Sequence, residues 1–108
     1  MDTTAAIDAL SALAQDTRFE AMQLLASREP EGLSAGEVAR QLNIPQSTMS
    51  IHLAVLSRAG LIRPERHSRK IIYHADAERF ITLASFLIKS CWSGPAKLSL
   101  RLQKEVAA

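Results

Sequence analysis

The feature that most limits how this chain can fold lies in residues 33–75, where two short helical patterns are followed by a basic hairpin. The segment reads LSAGEVARQLN, then IPQSTMSIHLAVLSRAGLI, then RPERHSRKIIYHA. The first two parts, over about residues 34–58, are typical of a helix-turn-helix. The third, over about residues 62–75, is typical of the two-stranded wing that often follows one. This order of parts predicts one helix for the major groove of DNA and a ribbon for its phosphates.

Local signals mark the ends of both central helices. Ser34 and Glu37 form an S-x-x-E pattern, a capping box that predicts where the first one begins. Asn43 suits a left-handed cap at its end, and Pro45 disfavours helical geometry in the residue before it, so the chain must turn there. The second helix is then predicted over about residues 46–58.

The spacing of apolar residues predicts three more helices, which makes five in all. The first is an amphipathic helix over residues 4–14, with Ile7, Leu10, Leu13 and Ala14 at helical spacing. The next has Asp16 at its N-cap and is expected to bury Phe19, Met22 and Leu25. The last covers residues 76–92, with an apolar stripe of Phe80, Leu83, Ala84, Leu87, Ile88 and Cys91.

The last helix is apolar beyond this single stripe, because Ile81 and Phe86 fall outside it. A helix of this kind usually packs against two neighbours. We therefore expect a homodimer in which helices 4–14 and 76–92 meet their copies in a second chain. Residues 95–108 are interpreted as a short amphipathic tail.

Length and composition restrict the class of protein. The 108 residues are enough for a single domain spanning 1–108. One cysteine, Cys91, excludes an intrachain disulfide. The N-terminus has neither a basic start nor a long apolar run, and no stretch approaches the roughly 20 apolar residues that span a bilayer. We therefore expect a cytoplasmic protein without a membrane partner.

The chain resembles the ArsR/SmtB family of winged-helix repressors over about residues 10–92. The segment LAQDTRFEAMQLL is similar to the family pattern LADPTRLRILRLL, and IPQSTMSIHLAVLSRAGLI is similar to LSQPTVSHHLKVLREAGLV. The hairpin contains an aromatic residue, Tyr73, as family members commonly do. Pro45 stands in place of the usual Ser, and Ser68 in place of the usual glycine at the wing tip. The resemblance implies a mainly α, winged helix-turn-helix fold, dimerisation and repression.

The family's metal positions can be compared residue by residue. Ser34 and Gly36 stand where one group of members has two cysteines, and Asp76, Glu78, Lys89 and Trp92 stand where another has its carboxylates and histidines. The segment CWSGPAKLS resembles a three-cysteine site of which only Cys91 is left. These replacements predict that the family's known metal sites are absent, and no cofactor is expected.

The candidate DNA-contacting residues fall into two groups. Hydroxyls and amides at a helix N-terminus suit phosphate binding and base reading; they are Gln46, Ser47, Thr48, Ser50 and His52. The basic residues of the hairpin suit phosphate contacts; they are Arg63, Arg66, Arg69 and Lys70. The alternative for both groups is an ordinary solvated surface.

The histidines and the cysteine have plainer interpretations. His52, His67 and His74 are spread over the second central helix, the wing tip and the second strand, which argues against a metal site. Cys91 falls on an apolar stripe, where a buried cysteine behaves as a small hydrophobic residue. The alternative is a redox switch in which this thiol is oxidised or pairs with its copy.

Together these features predict a sequence-specific DNA-binding regulator, a homodimeric repressor at an inverted-repeat operator in double-stranded DNA. Its effector is unknown; a signal, if there is one, is expected to be non-metal or redox. The competing hypothesis is a winged-helix module that binds another protein and no operator. An enzyme is not expected, because the sequence contains no catalytic constellation or phosphate-binding loop.

Overall fold

The computed structural model describes residues 1–92 together with Arg101, Lys104 and Glu105. Over residues 1–92 it contains five helices and a small antiparallel sheet, as predicted. The elements in chain order are α1 (Thr3–Leu13), α2 (Asp16–Ser27), β1 (Leu33–Ser34), α3 (Ala35–Leu42), α4 (Gln46–Arg58), β2 (Ile62–His67), β3 (Lys70–Ala75) and α5 (Ala77–Cys91). The predicted tail, residues 95–108, falls almost entirely outside the described residues.

The core lies where the helices meet the base of the hairpin. The largest fully buried side chains are Leu25, Val38, Met49, Leu53, Leu56, Leu61 and Ile62. They come from α2, α3, α4, the turn after α4 and the first residue of β2, so one apolar cluster joins the helix-turn-helix to the wing. Burial of this apolar surface is the main term that favours the folded chain.

The predicted capping signals of the helix-turn-helix are confirmed. The Ser34 hydroxyl accepts a hydrogen bond from the Glu37 amide at 3.2 Å, and the Glu37 carboxylate accepts one from the Ser34 amide at 3.0 Å. Asn43 ends α3 in the left-handed conformation, with φ of 55°. Since these contacts satisfy backbone groups at both ends of α3, they fix where the helix begins and where the chain turns into α4.

The wing hairpin belongs to a three-stranded sheet in the order β1-β3-β2. The two predicted strands pair antiparallel, from Ile62 opposite Ala75 to His67 opposite Lys70. The short β1 was not predicted as a strand, and it pairs Leu33 with Tyr73. Two residues are too few to show the alternation that marks a strand. This third strand attaches the wing to the start of α3.

Of the apolar residues that identified α1, only Leu13 packs against the core of this chain. The helix buries Ala6, Ala9 and Ala12, whereas Ile7 is 58% exposed and Leu10 is 38% exposed. Small side chains allow α1 to lie close to α2 and α4, so the alanines face the core and the larger residues face outward. The apolar spacing identified the helix correctly but not the side on which this chain packs.

Two details of α2 also differ from the prediction. The N-cap is Gln15, whose side-chain oxygen accepts a hydrogen bond from the Arg18 amide at 2.8 Å, and Asp16 is the first helical residue. Met22 and Leu25 are buried as expected, but Phe19 is 49% exposed. The apolar surface of α2 therefore extends beyond the core of this chain.

Helix α5 buries much less than its stripe predicted. Among its residues only Leu83 is buried, while Phe86 and Leu87 pack against the core with partial exposure. Phe80 is 42% exposed, and Cys91, expected in the core, is exposed. The interpretation of Cys91 as a buried hydrophobic residue is wrong within one chain.

No helix in the part of the chain that the structure describes is both long and apolar enough to cross a membrane.

Candidate nucleic-acid interface

Helix α4 presents a continuous exposed stripe on the side opposite the core. Met49, Leu53 and Leu56 are completely buried on its inner face. The outer stripe follows the i, i+3, i+4, i+7 spacing of one helix face and comprises Ser47, Ser50, Ile51, Ala54 and Arg58. Small and polar side chains with one basic residue form a surface that a DNA groove can approach closely.

The N-terminus of α4 is open. Pro45 occupies the N-cap and provides no side-chain hydrogen bond to the first turn. The backbone amides of that turn therefore point outward without a side-chain partner, which is the arrangement that attracts a phosphate oxygen. Ser47 and Thr48 are exposed in the same turn.

Gln46 also lies in this first turn and is exposed, but its side chain leans toward α3. A Cβ atom on Gly36 would lie 3.4 Å from Oε1 of Gln46. That separation is an ordinary van der Waals contact, so the amide lies above the first turn of α3 while remaining exposed.

His52 does not face outward with the other predicted residues, so that expectation is corrected. The ring is half-buried, and its Nδ1 lies 3.4 Å from Nη1 of Arg18. The same Arg18 donates from Nε to the Ala12 carbonyl at 2.6 Å, at the end of α1. His52 therefore sits at the junction of α1, α2 and α4, off the exposed stripe.

Ile51 was not among the predicted contacts, which were chosen for their polar or basic side chains. It is 67% exposed at the centre of the α4 stripe, between Ser47 and Ala54. An apolar side chain at this place suits the methyl group of thymine in the major groove. Its position in the helix could have identified it, because Ile51 lies one turn beyond Ser47 and opposite the buried Leu53 and Leu56.

The basic residues of the hairpin are all exposed, but they do not share one face. Strand alternation and the register put Arg63 and Lys70 on one side of the ribbon and Arg66 on the other. Arg69 lies in the two-residue turn with Ser68, whose φ is 60°. The tip is therefore a tight turn in which Arg69 carries the positive charge and Ser68 has the backbone conformation that glycine usually adopts.

Glu37, at the start of α3, has a lowered pKa. The hydrogen bond from the Ser34 amide, followed by that from the Ser34 hydroxyl, lowers the pKa of its carboxyl group. The positive charges of Lys70 and Arg40 act in the same direction. The carboxylate therefore caps α3 in its ionised form, close to the positive charges of Lys70 and Arg40.

Two histidines that the sequence placed far apart come together on the wing, so the interpretation of all three as spread is wrong. Nε2 of His67 lies 3.1 Å from Oε1 of Glu65, and Nε2 of His74 lies 3.2 Å from Oε2 of the same carboxylate. The other side of the His74 ring, Nδ1, lies 2.8 Å from Oε2 of Glu29. Only His52 remains separate.

Two positions compared with the family's metal sites have structural tasks here. Ser34 caps α3, and Asp76 caps α5 by accepting a hydrogen bond from the Arg79 amide at 3.0 Å. Both side chains are explained by helix capping without a metal ion. The absence of the family's known metal sites stays a prediction from the residue types.

A helix-turn-helix domain model matches residues 13–65 of the chain, which contain α2, α3, α4 and the start of the hairpin. Among curated proteins, an uncharacterised HTH-type transcriptional regulator from Bacillus subtilis, YbzH, is 32% identical over 95 residues. The match covers 75% of this chain and 93% of that protein.

Solved structures of regulators share the fold. A possible transcriptional regulator for arsenical resistance is 31% identical with a TM-score of 0.67, and the match covers 93% of this chain and 94% of that one. An ArsR-like transcriptional regulator from Rhodococcus sp. RHA1 has a TM-score of 0.73 at 24% identity, covering 96% and 93% of the two chains. The second likeness bears on the fold alone.

Proposed function

This chain belongs to the ArsR family of winged helix-turn-helix transcriptional regulators, and from that premise we propose that it is a homodimeric repressor of an inverted-repeat operator. The activity of the family is DNA-binding transcriptional regulation, and its members are not normally enzymes. The operator, the oligomeric state and the direction of regulation are the proposed parts.

The observation that carries the proposal is the α4 stripe beside an open helix N-terminus and a basic hairpin. Ser47, Ser50 and Ile51 lie on the exposed face, and the buried face of the same helix is held rigidly by Met49, Leu53 and Leu56. A rigid helix that presents small polar groups and one methyl-binding side chain is suited to base edges.

We assign the phosphate contacts to the amides of the first turn of α4 and to Arg66, Arg69 and Lys70. These groups fix the orientation of the protein on the duplex and make binding sensitive to salt. Gln46, Ser47, Thr48, Ser50 and Ile51 are assigned to base edges and the adjacent sugar–phosphate backbone. His52 is given a positioning role through Arg18.

Dimerisation is supported by apolar surface that one chain leaves uncovered. Ile7 and Leu10 on α1 are exposed, as are Phe80 and Ile81 on α5. A two-fold contact through these helices would place two α4 helices in successive major grooves, about 34 Å apart. We propose that the dimer acts in the cytoplasm, where bacterial DNA lies.

The proposed signal does not use the family's known metal positions. Cys91 is exposed at the end of α5, so an oxidant can reach its thiol in the single chain. If redox control is real, oxidant will weaken DNA binding by the native chain and leave the Cys91→Ser variant unaffected. Equal sensitivity of both would remove Cys91 from the proposal.

The test of DNA binding uses DNA upstream of the protein's own gene, with excess non-specific competitor and at two salt concentrations. Tight binding that resists competitor is expected, with a steep salt dependence. Arg69→Ala should lower the slope of log affinity against log salt by about one. Lys89→Ala removes the same charge from α5 and serves as the control, with an unchanged slope.

The competing function is a winged-helix module that binds another protein. It would be favoured if binding to upstream DNA were weak and lost with competitor, and if Ser47→Ala and Arg69→Ala made no difference. Selection from a pool of genomic DNA would then separate a distant operator from the absence of any operator.

A further inference from the structure

The face of the hairpin that carries Glu65 also brings both wing histidines within reach of one point. We propose that Glu65, His67 and His74 bind a single divalent transition-metal ion, with Zn²⁺ as the ion of reference. Their nearest ligand atoms, one carboxylate oxygen and two imidazole nitrogens, all lie within 4.8 Å of one another. This site lies in the wing, away from the family positions considered above.

The antiparallel register explains why three residues distant in sequence meet. Glu65 and His67 are two residues apart on β2, so their side chains lie on the same face of the ribbon. Glu65 pairs with Ile72, and His74 lies two residues further along β3 on that same face. The carboxylate therefore lies between the two rings.

The environment of His74 is the second observation that indicates a cation. The residue is only 6% exposed, and its Nε2 has no hydrogen-bond partner among the described residues although Oε2 of Glu65 is 3.2 Å away. At Nδ1, by contrast, the ring lies 2.8 Å from the Glu29 carboxylate, a distance that suits donation of the Nδ1 proton. A neutral ring that donates from Nδ1 has a bare lone pair at Nε2.

A bare lone pair this close to a carboxylate oxygen is repelled by it unless a positive charge binds both groups. A metal ion supplies that charge and accepts both groups as ligands. The alternative is a second proton on His74, which would make the ring an imidazolium held between Glu29 and Glu65. The two possibilities differ in whether His67 takes part.

The distances favour a metal ion of the size of zinc. With bonds of about 2.0–2.2 Å to nitrogen and oxygen, tetrahedral ligands lie about 3.3 Å apart. Nε2 of His67 lies 3.1 Å from Oε1 of Glu65 and Nε2 of His74 lies 3.2 Å from Oε2, so each ring is near this separation from one of the two carboxylate oxygens, and a single ligand oxygen requires a rotation of the exposed Glu65 carboxylate. The ligand nitrogens of the two histidines lie within 4.8 Å of each other, and bringing them to about 3.3 Å requires a small movement. His67 can make this movement because its side chain is 57% exposed. Three protein ligands leave the fourth position to water.

The buried half of the site is held in place by its surroundings. Glu29 accepts from Nδ1 of His74 and orients the ring, as carboxylates hydrogen-bonded to metal-bound histidines do. Gly32 packs so closely that a Cβ atom there would lie 2.8 Å from Cε1 of His74. The ring therefore has little freedom to turn away, so its Nε2 is organised for a ligand in advance.

Charge in the neighbourhood is compatible with a divalent ion. Arg63 and Lys70 share this face of the ribbon by register and oppose an added positive charge. Glu29 and Glu65 together provide two negative charges, which balance a divalent cation. A bound ion would link β2 to β3 and, through Glu29, to the segment after α2.

The experiment measures Zn²⁺ affinity in untagged, chelator-treated protein by competition with a chromogenic chelator. The variants are His67→Ala and Glu65→Gln, whose native side chains are both largely exposed and leave the core intact. Glu29→Gln tests the outer carboxylate, and His52→Ala is the matched histidine control. Circular dichroism checks folding of each variant, and visible absorption of Co²⁺ reports the coordination geometry.

The proposal expects one Zn²⁺ per chain, at least a tenfold loss of affinity in His67→Ala and Glu65→Gln, and a loss of about 10- to 100-fold in Glu29→Gln. His52→Ala should bind as the native chain does, and Co²⁺ should show the intense absorption of a tetrahedral site. No binding at micromolar Zn²⁺, or equal affinity in the native chain and in folded His67→Ala, would overturn the proposal. Because the readout is metal binding, the outcome is independent of whether the chain binds an operator.

Discussion

Replacing Gly32 with alanine should be far more damaging than the same change at Gly60. Both glycines have positive φ, 71° at Gly32 and 79° at Gly60. An alanine in this region costs about 1 kcal/mol relative to glycine at either place. The two substitutions therefore share their backbone term and differ only in what the new methyl group meets.

At Gly32 the new Cβ would lie 2.6 Å from the Tyr73 carbonyl oxygen, about 0.8 Å short of ordinary contact. That oxygen belongs to β3, so relief requires the strand or the segment before β1 to move. Movement endangers the pairing of Leu33 with Tyr73, and each lost backbone hydrogen bond costs about 1 kcal/mol. The expected total is about 3 kcal/mol or more.

At Gly60 the nearest atom is Nε of Arg79, 2.9 Å from the new Cβ. This atom lies near the end of a flexible side chain, which can move aside and give up its 3.3 Å hydrogen bond to the Ala59 carbonyl. The expected cost is about 1.5 kcal/mol, the backbone term plus one weak hydrogen bond.

The assay is thermal and urea unfolding followed by circular dichroism, at one fixed protein concentration because dimerisation would shift Tm. For a chain of this size about 1 kcal/mol corresponds to roughly 5 °C in Tm, so Gly32→Ala should melt about 8 °C or more below Gly60→Ala. Equal losses at the two positions would refute the argument that β3 approaches Gly32 too closely for a side chain.

Further expectations concern the cap, the turn and α4. Ser34→Ala should cost about 1 kcal/mol in urea unfolding at pH 7. Folding lowers the pKa of Glu37, so its carboxylate stabilises the folded chain above its ordinary pKa of 4.5, and this stabilisation is lost as the pH falls through the lower pKa of the folded state. The Ser34→Ala variant should therefore lose less stability between pH 5 and pH 3 than the native chain. Ser68→Gly should stabilise the chain by up to about 1 kcal/mol, seen as a higher Tm, since the φ of 60° at the wing tip costs serine more than glycine. Leu53→Ala should cost about 2–5 kcal/mol in the same urea assay, because the side chain is fully buried. Ile51→Ala should change the stability by no more than about 0.5 kcal/mol but weaken binding to the operator. A large loss of stability at Ile51 would contradict its exposed position.

The helix-turn-helix was predictable because its signals act over a few residues. The capping box of Ser34 and Glu37 and the left-handed Asn43 involve contacts three or four positions apart. The wing was also predictable from its alternation and its basic tip. These local rules hold whatever the rest of the chain does, so they could be derived from neighbouring residues alone.

The missed features depend on partners far away in the sequence. His52 was expected to face outward, but its partner Arg18 is 34 positions away. His74 meets Glu29 across 45 positions, a contact that no spacing rule could indicate. Ile51 was not among the predicted DNA contacts, because an apolar residue type does not show which side of α4 the other helices leave uncovered.

Neighbouring residues are enough to predict which segments are helical, where α3 begins and ends, and that a basic hairpin follows α4, because hydrogen bonds and side-chain spacing within a few residues decide these points. That α1 turns its alanines inward and leaves Ile7 exposed follows from the packing of the whole chain. The position of Glu65 between His67 and His74 follows from it as well. Both results depend on how helices and strands are placed against one another, and that placement depends on close packing and strand register across the whole chain.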